Sequence, residues 1–442
     1  MGFRFQAQEK GLNQQCFEKM GNYFSMSNRS TSTVAQSAPS YAGPFIMITA
    51  LFFIFGFITT LNMALVPHLR SIFNLDYAWA MLADSAFFLA YFAFSAPSSK
   101  LIEIIGYKRT MVASLFIQVV GALLFVPAAK LINFPIFLSA VFIVGAGVTA
   151  LQTAANPYVA ILGSEHSAPV RLTLAQAFNS IGAAIAPLVA GAFILADPTK
   201  LISKARIAET VRAPYLLIAA GLLLLGLAVA FMRLPPITQT QAFRTSKESG
   251  PVPIRSIWSY KHTVLGALGI FLYVGVEVGL ASIAVNYFKG QGMSSAKTAS
   301  FLVSLYWFGA LVGRLLGSWV LTKIQSGRLL GIFGIAAAVL VSVSMITSGQ
   351  VAIWTLVLCG FFNSIMFPNI FTLGIAGLGP MTSKGSGLMM TACVGAAVIP
   401  FLIGALADKT GIQHAFILPV LCYLFIAYYG LWGSKPTRTI TP

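Results

Sequence analysis

From residue 44 onward, stretches of about 20 or more apolar residues alternate with short polar segments that carry Gly, Pro and charge. A helix needs about 20 apolar residues to cross the hydrocarbon layer of a bilayer, because lipid offers its backbone no other hydrogen-bond partner. The pattern predicts twelve such helices. Six lie over 44–69, 80–104, 109–130, 133–163, 171–196 and 213–233, and six over 262–289, 298–322, 327–348, 351–378, 383–407 and 414–433. The longest polar interruption, 234–261, contains Pro235, Pro236, Arg244, Lys247, Arg255 and Lys261, and is expected to be a cytoplasmic linker between bundles over 44–233 and 262–433. Residues 1–43 read as a disordered cytoplasmic leader, with Met20 or Met26 as alternative starts, and 434–442 as a cytoplasmic tail. The expected fold is an all-α membrane protein of twelve transmembrane helices in two pseudo-symmetric six-helix bundles.

The two halves repeat each other. GAAIAP at 182–187, followed by Gly191-Ala192, matches GAAVIP at 395–400, followed by Gly404-Ala405, at an offset of 213 residues. Gln152 lies five residues before Pro157 in the fourth span, as Asn363 does before Pro368 in the tenth, at an offset of 211. Two correspondences at nearly one offset point to duplication, with helix five answering helix eleven and helix four answering helix ten. Duplicated transporters bind their substrate near the midplane between the halves. Pro157, Pro187, Pro368 and Pro400 each remove a helical hydrogen bond and are expected to kink their spans.

Composition agrees with the pattern: 57% of residues are hydrophobic and 9% charged, against roughly 25% charged in a soluble protein. The formal net charge of +17 excludes itself as a nucleic-acid signal, because the Lys and Arg residues are dispersed among short connections instead of forming a groove. They gather on the side that places both termini in the cytoplasm, as the positive-inside rule expects. Cys16 lies in the leader and Cys359, Cys393 and Cys422 in apolar spans, without metal-binding or disulfide spacing. His68, His166, His262 and His414 lie near span ends, and no zinc, nucleotide-binding or nucleophile motif accompanies them. The chain is not expected to be an enzyme or to need a cofactor; a proton or sodium ion is the expected coupling species.

Polar groups inside membrane spans are expensive, so they carry the functional signal. Asn62, Gln152, Asn156, Gln176, Asn179, Asn286, Asn363 and Asn369 fall within spans. A carboxamide both donates and accepts, and being neutral it avoids the cost of a buried charge, which suits a polyol. Gln176 and Asn179, spaced i, i+3, share one helix face. For any one amide, the alternative is a bond between neighbouring helices. Trp307 with Tyr306 and Phe308, and Phe87, Phe88 and Tyr91, offer ring faces to a sugar, although aromatic residues occur in any bundle.

Two acids are candidates for ion coupling: Glu277 in the middle of the seventh span and Asp84 early in the second. Arg314, towards the cytoplasmic end of the eighth span, and Lys108 and Arg109, after the second, are candidate gate charges, with topological anchoring as the simpler explanation.

Three long motifs give a family resemblance: LQTAANPY at 151–158, RLTLAQAFNS at 171–180 and FNSIMFPNIF at 362–371. Together they resemble the fucose/galactose/glucose:proton symporter family of the major facilitator superfamily over about residues 44–432, and YVGVEV at 273–278 looks more like its glucose/galactose and amino-sugar branches. The resemblance implies that Asn179, and with it Gln176, contacts sugar. Fucose-transporting members carry an aspartate in helix one and a glutamate in helix four; the matching positions here are Met63 and Gln152. Coupling must then use another group, such as Glu277 or Asp84, or be absent.

The expected function is uptake of a neutral monosaccharide, such as glucose, galactose, mannose or fructose, by alternating access. The expected binding set is Gln152, Gln176, Asn179, Asn62, Asn363, Trp307 and Glu277. An uncoupled facilitator, a drug-efflux transporter and a sugar sensor are the alternatives. The expected setting is a bacterial inner membrane, in contact with its lipid, with a monomer as the working unit.

Overall fold

The computed structural model describes residues 42–73, 77–193, 212–232, 234, 256–292 and 296–436. The leader to residue 41, most of the linker and the end of the tail lie outside the described residues, as do the side chains of Asn62, Met63, Asp84 and Pro187.

Every long element among the described residues is helical. The first span is Ala42–Phe73. The second and third form one element, Tyr77–Leu131, whose two helices meet at Gly106, where φ 82° and ψ 167° suit a residue without a β-carbon. The fourth is Phe134–Ile161, started by Asn133, whose side chain accepts from the Ile136 backbone N–H at 3.0 Å. The fifth is Ala168–Phe193 and the sixth Arg212–Phe231. The seventh is Lys261–Gly290, the eighth Ala296–Val320 and the ninth Ser326–Ile346.

The last three spans are interrupted. The tenth consists of Gly349–Asn363 and Met366–Ile375. The eleventh consists of Thr382–Thr391 and Gly395–Thr410, joined by a 3-10 turn. The twelfth runs through Ile412–Ala415 and Ile417–Tyr428 into a π turn at Tyr429–Gly433. Among the described residues, ten helices are long and apolar enough to cross a membrane, one of them the joined second and third pair. With the 26-residue fifth helix they account for the predicted twelve passages. Of the prolines expected to kink their spans, Pro368 lies just after the break in the tenth, while Pro157 and Pro400 sit inside unbroken helices.

Large apolar side chains such as Leu217, Leu224, Phe231, Trp319 and Phe401 point outward, the arrangement lipid requires. Inside, small residues let helices approach. A β-carbon at Gly182 in the fifth span would strike the Phe53 carbonyl of the first, and one at Gly395 in the eleventh would strike the Phe271 carbonyl of the seventh. The two repeated motifs thus do the same work, closing span five on span one and span eleven on span seven.

Polar contacts join elements before the linker to elements after it towards the end of the molecule where the connections 162–167, 321–325 and 376–381 lie. There Ser383 donates to Glu103 at 3.1 Å, with Lys384 4.0 Å from the same carboxylate. Ser386 donates to the Thr153 carbonyl at 2.7 Å, Asn156 lies 3.4 Å from the Met390 sulfur, and Gly387 packs on Ser99.

Candidate functional site

Two of the intramembrane amides are held by tyrosines in a duplicated arrangement. In the first half, Gln152 of the fourth span donates from Nε2 to the Tyr91 hydroxyl of the second span at 2.5 Å. In the second half, Asn363 of the tenth donates from Nδ2 to the Tyr306 hydroxyl of the eighth at 2.6 Å. All four side chains are buried. Each hydroxyl keeps its own proton to donate, and Asn363 Oδ1 is buried without a partner.

The tenth span shapes the second pair. Its helix breaks after Asn363, and the Asn363 carbonyl accepts from the Tyr273 hydroxyl of the seventh span at 2.9 Å. Tyr273 is one turn before Glu277 and its hydroxyl lies beside that carboxyl, whose Oε1 is buried without a hydrogen-bond partner. Arg314 is within electrostatic reach of both, although no Arg314–Glu277 ion pair within 4.0 Å is formed. The Arg314 guanidinium, only 9% exposed, donates from Nε to the Ser364 carbonyl at 3.2 Å and from Nη1 to Ser180 Oγ, with the Gln176 carbonyl at 3.5 Å. It therefore links the eighth and tenth spans to the fifth, across the two halves of the chain.

Gln152, Gln176, Asn363 and Arg314 are accordingly buried and Glu277 half-buried, with Gln152 in one polar pair and the others around the Arg314 bridge. Gln176 enters that bridge through its backbone carbonyl. Asn179 donates to the Phe52 carbonyl of the first span at 3.3 Å and is bonded to none of the other candidates. Trp307 is 42% exposed and meets Tyr306 edge-on at 5.4 Å; it is Tyr306, 4% exposed, that reaches the amide. Asn286 is exposed near the end of its helix, while Asn156 and Asn369 are fully buried, Asn369 with neither amide atom partnered. Asn62 and Asp84 lie outside the described side chains.

Of the other predicted gate charges, Lys108 donates to the Ala230 carbonyl at the end of the sixth helix at 2.7 Å, and Arg109 is exposed. Neither joins Arg314. Sequence reasoning passed over Glu103 and its contacts with Ser383 and Lys384; an acid at the last turns of a span, opposite a polar helix start in the duplicated half, was the available signal. It also passed over Arg171, whose guanidinium takes the Val159 and Ala160 carbonyls at the end of the fourth helix and the Ser164 carbonyl of the connection after it, with the Ser167 hydroxyl beside them.

An apolar cavity of about 580 Å³ lies between the second, fourth and eleventh spans, lined by residues including Leu89, Phe142 and Val394, with none of the predicted polar residues. Among the described residues no three His, Cys, Asp or Glu side chains come together as a metal site would require.

Residues 47–393 match the model of the Major Facilitator Superfamily. The chain is 42% identical over 410 residues to a glucose/galactose transporter of Brucella abortus, covering 92% of this chain and 98% of that one. It is 31% identical over 427 residues to the L-fucose-proton symporter of Escherichia coli, covering 92% and 97%. The solved structure of the transporter FucP in the outward conformation superposes with a TM-score of 0.78 at 29% identity, over 88% of this chain and 97% of that one. With a family model over most of its length and relatives matched nearly end to end, this multi-pass membrane protein belongs to the Major Facilitator Superfamily.

Proposed function

We propose that the protein is a secondary active transporter that takes up a neutral hexose by alternating access, with glucose and galactose as the first candidates. The observation that carries this reading is the duplicated amide–tyrosine pair, Gln152–Tyr91 and Asn363–Tyr306, one in each half of the chain. Each pair is neutral, buried and able both to donate and to accept, which matches a ring of hydroxyls. The names of relatives alike over nearly their full lengths support the same substrate class. Gln176 and Asn179 complete the sugar set on the first-half side, and Trp307 on the second.

Transport proceeds by rocking of the halves 44–233 and 262–433 about the site, and the contacts at Glu103, Thr153, Asn156 and Ser180 belong to the state closed at that end. Glu277 is the coupling group, a carboxyl with one buried oxygen unpartnered and the Arg314 guanidinium nearby; a proton fits it better than sodium, which would need several converging oxygen ligands. The protein works as a monomer in a bacterial inner membrane, both termini cytoplasmic, because one chain contains both halves and its basic connections favour that side.

A facilitator is the second reading, favoured by neutral Gln152 standing where fucose-transporting relatives carry an acid. Labelled-hexose counterflow in proteoliposomes, followed by uptake under imposed proton and sodium gradients, tests all three points. Glucose or galactose should exchange and should accumulate with a proton gradient. Exchange that ignores both gradients leaves the facilitator, and absence of hexose exchange by folded protein removes the sugar reading.

A further inference from the structure

A proline leaves the carbonyl four residues before it without a helical partner, and the fourth and tenth spans each contain one where the two halves of the chain meet. Four residues before Pro157 is Thr153, whose carbonyl accepts from Ser386 of the eleventh span at 2.7 Å. Four residues before Pro368 is Ser364, whose carbonyl accepts from Arg314 Nε of the eighth at 3.2 Å. The duplication says what should stand there instead. Thr153 and Ser364 are related by the offset of 211 that relates the two prolines, and the counterpart of Ser386 at the 213-residue offset between fifth and eleventh spans is Thr173. By that symmetry the Thr173 hydroxyl belongs on the Ser364 carbonyl. It is instead buried with no hydrogen-bond partner.

Arg314 occupies the place that Thr173 would take, and it is held there by Ser180 and Gln176 of the fifth span. Glu277, whose Oε1 is unpartnered, is within its electrostatic reach. The other titratable groups around Glu277 are Tyr273 on its own helix, Tyr306 on the eighth and Cys359 on the tenth, with Tyr423 of the twelfth behind Cys359. The eleventh span packs apolar Ile399 and Ile403 against Gly275 and Gly279, on the face of the seventh opposite Glu277. Among the described residues Arg314 is thus the cation available to an ionised Glu277, and a buried charge without a partner is strongly unfavourable.

We infer that Arg314 is the positioning residue through which Glu277 acts, its guanidinium moving between two sets of partners. With Glu277 uncharged, Arg314 bridges the Ser364 carbonyl to Ser180 and Gln176 of the other half. With Glu277 ionised, Arg314 turns to the carboxylate and the Thr173 hydroxyl takes the Ser364 carbonyl. The proton enters from the water on the side to which the site is open and leaves to the other. This device rests on the reading of Glu277 as the coupling group.

The test is hexose counterflow in proteoliposomes with equal pH on both sides, measured across a pH series for wild type, Glu277→Gln, Ser180→Ala, Thr173→Val and Arg314→Gln. Wild type should have a pH midpoint and Glu277→Gln should be flat. Ser180→Ala weakens the bridged arrangement and should move the midpoint to lower pH by about half a unit. Thr173→Val weakens the other arrangement and should move it to higher pH by a similar amount, and Arg314→Gln should move it higher by about one unit. Opposite shifts from two small substitutions would not arise from a merely structural arginine. If Ser180→Ala and Thr173→Val both keep the wild-type midpoint while Glu277→Gln is flat, the exchange is overturned and Glu277 stands. If wild type is already flat, or Glu277→Gln keeps its pH dependence, the coupling reading fails and the exchange with it. Should Arg314→Gln not reach the membrane, the two smaller variants decide the matter.

Discussion

Gln152 donates its side-chain amide to the Tyr91 hydroxyl at 2.5 Å, and the same relationship recurs in the second half of the chain between Asn363 and Tyr306. Amide and tyrosine come from spans that do not adjoin in sequence, so each pair fixes a crossing between helices as well as presenting polar atoms. If these pairs meet the sugar, removing one amide removes contacts made with substrate. Gln152→Ala and Asn363→Ala should each raise the half-saturation concentration for counterflow about tenfold, equivalent to about 1.4 kcal/mol. Tyr91→Phe should have a smaller effect in the same direction. Unchanged half-saturation in correctly folded variants would leave the pairs with a packing role alone.

The bond from Ser386 to the Thr153 carbonyl crosses the closed end, and nothing within the fourth helix can replace its donor. Its loss should cost that state about 1 kcal/mol. Spin labels at Arg109, in the first turn of the third helix, and Lys323, on the connection after the eighth, both exposed at this end, should report the change. Ser386→Ala should increase the population with the longer label separation about fivefold relative to the shorter. An unaltered distance distribution would mean that this bond does not bias the two states.

Glu103 and Lys384 also cross this end, but both side chains are substantially exposed, at 38% and 46%. Exposed ion pairs contribute roughly 0–1 kcal/mol and weaken with salt. Lys384→Gln should therefore change the same distance distribution less than Ser386→Ala does, and the small change should fade as ionic strength rises. A larger effect from Lys384→Gln than from Ser386→Ala would reverse this ranking.

Arg171 belongs to the RLTLAQAFNS motif, yet it faces away from the amides and closes the end of the fourth helix. Helix ends carry carbonyls without intrahelical partners, and one guanidinium here satisfies two of them, Val159 and Ala160, and also takes the Ser164 carbonyl of the following connection. Arg171→Gln should lower stability by about 2 kcal/mol, read as an earlier thermal unfolding transition in detergent, while the hexose half-saturation stays at the wild-type value. A raised half-saturation at unchanged stability would move Arg171 into the transport site.

A β-carbon at Gly395 would be driven against the Phe271 backbone, which no side-chain rotation can relieve. Gly395→Val should force the eleventh span off the seventh and reduce the amount of monodisperse protein extracted from membranes severalfold. Gly404→Val, later in the same helix, where a β-carbon meets nothing within 4 Å, should leave the yield near wild type.

Much of this was legible in one dimension. Apolar length gave the spans, and offsets of 211 and 213 gave the duplication, because bilayer thickness and gene duplication both leave linear marks. Gln152 and Asn363 stood out because neutral amides are conspicuous in apolar helices. Their partners did not stand out so clearly. Trp307 and Tyr306 are adjacent, and hydropathy alone does not say which faces the interior. Arg314 read as a charge near a helix end because its location depends on three other spans. The donor missing at Ser364 was nevertheless implied by Pro368, since each intrahelical proline announces one carbonyl in need of a partner.

The amide–tyrosine pairs bear on how tightly this protein can hold anything. Each amide nitrogen is already bonded to its tyrosine, so a hydroxyl that takes that donor exchanges one good hydrogen bond for another of the same kind, and little net enthalpy is gained there. Such a pocket grips weakly and lets go quickly. For a carrier whose output is cycles per second, slack retention is an advantage, and a tighter grip would slow the machine.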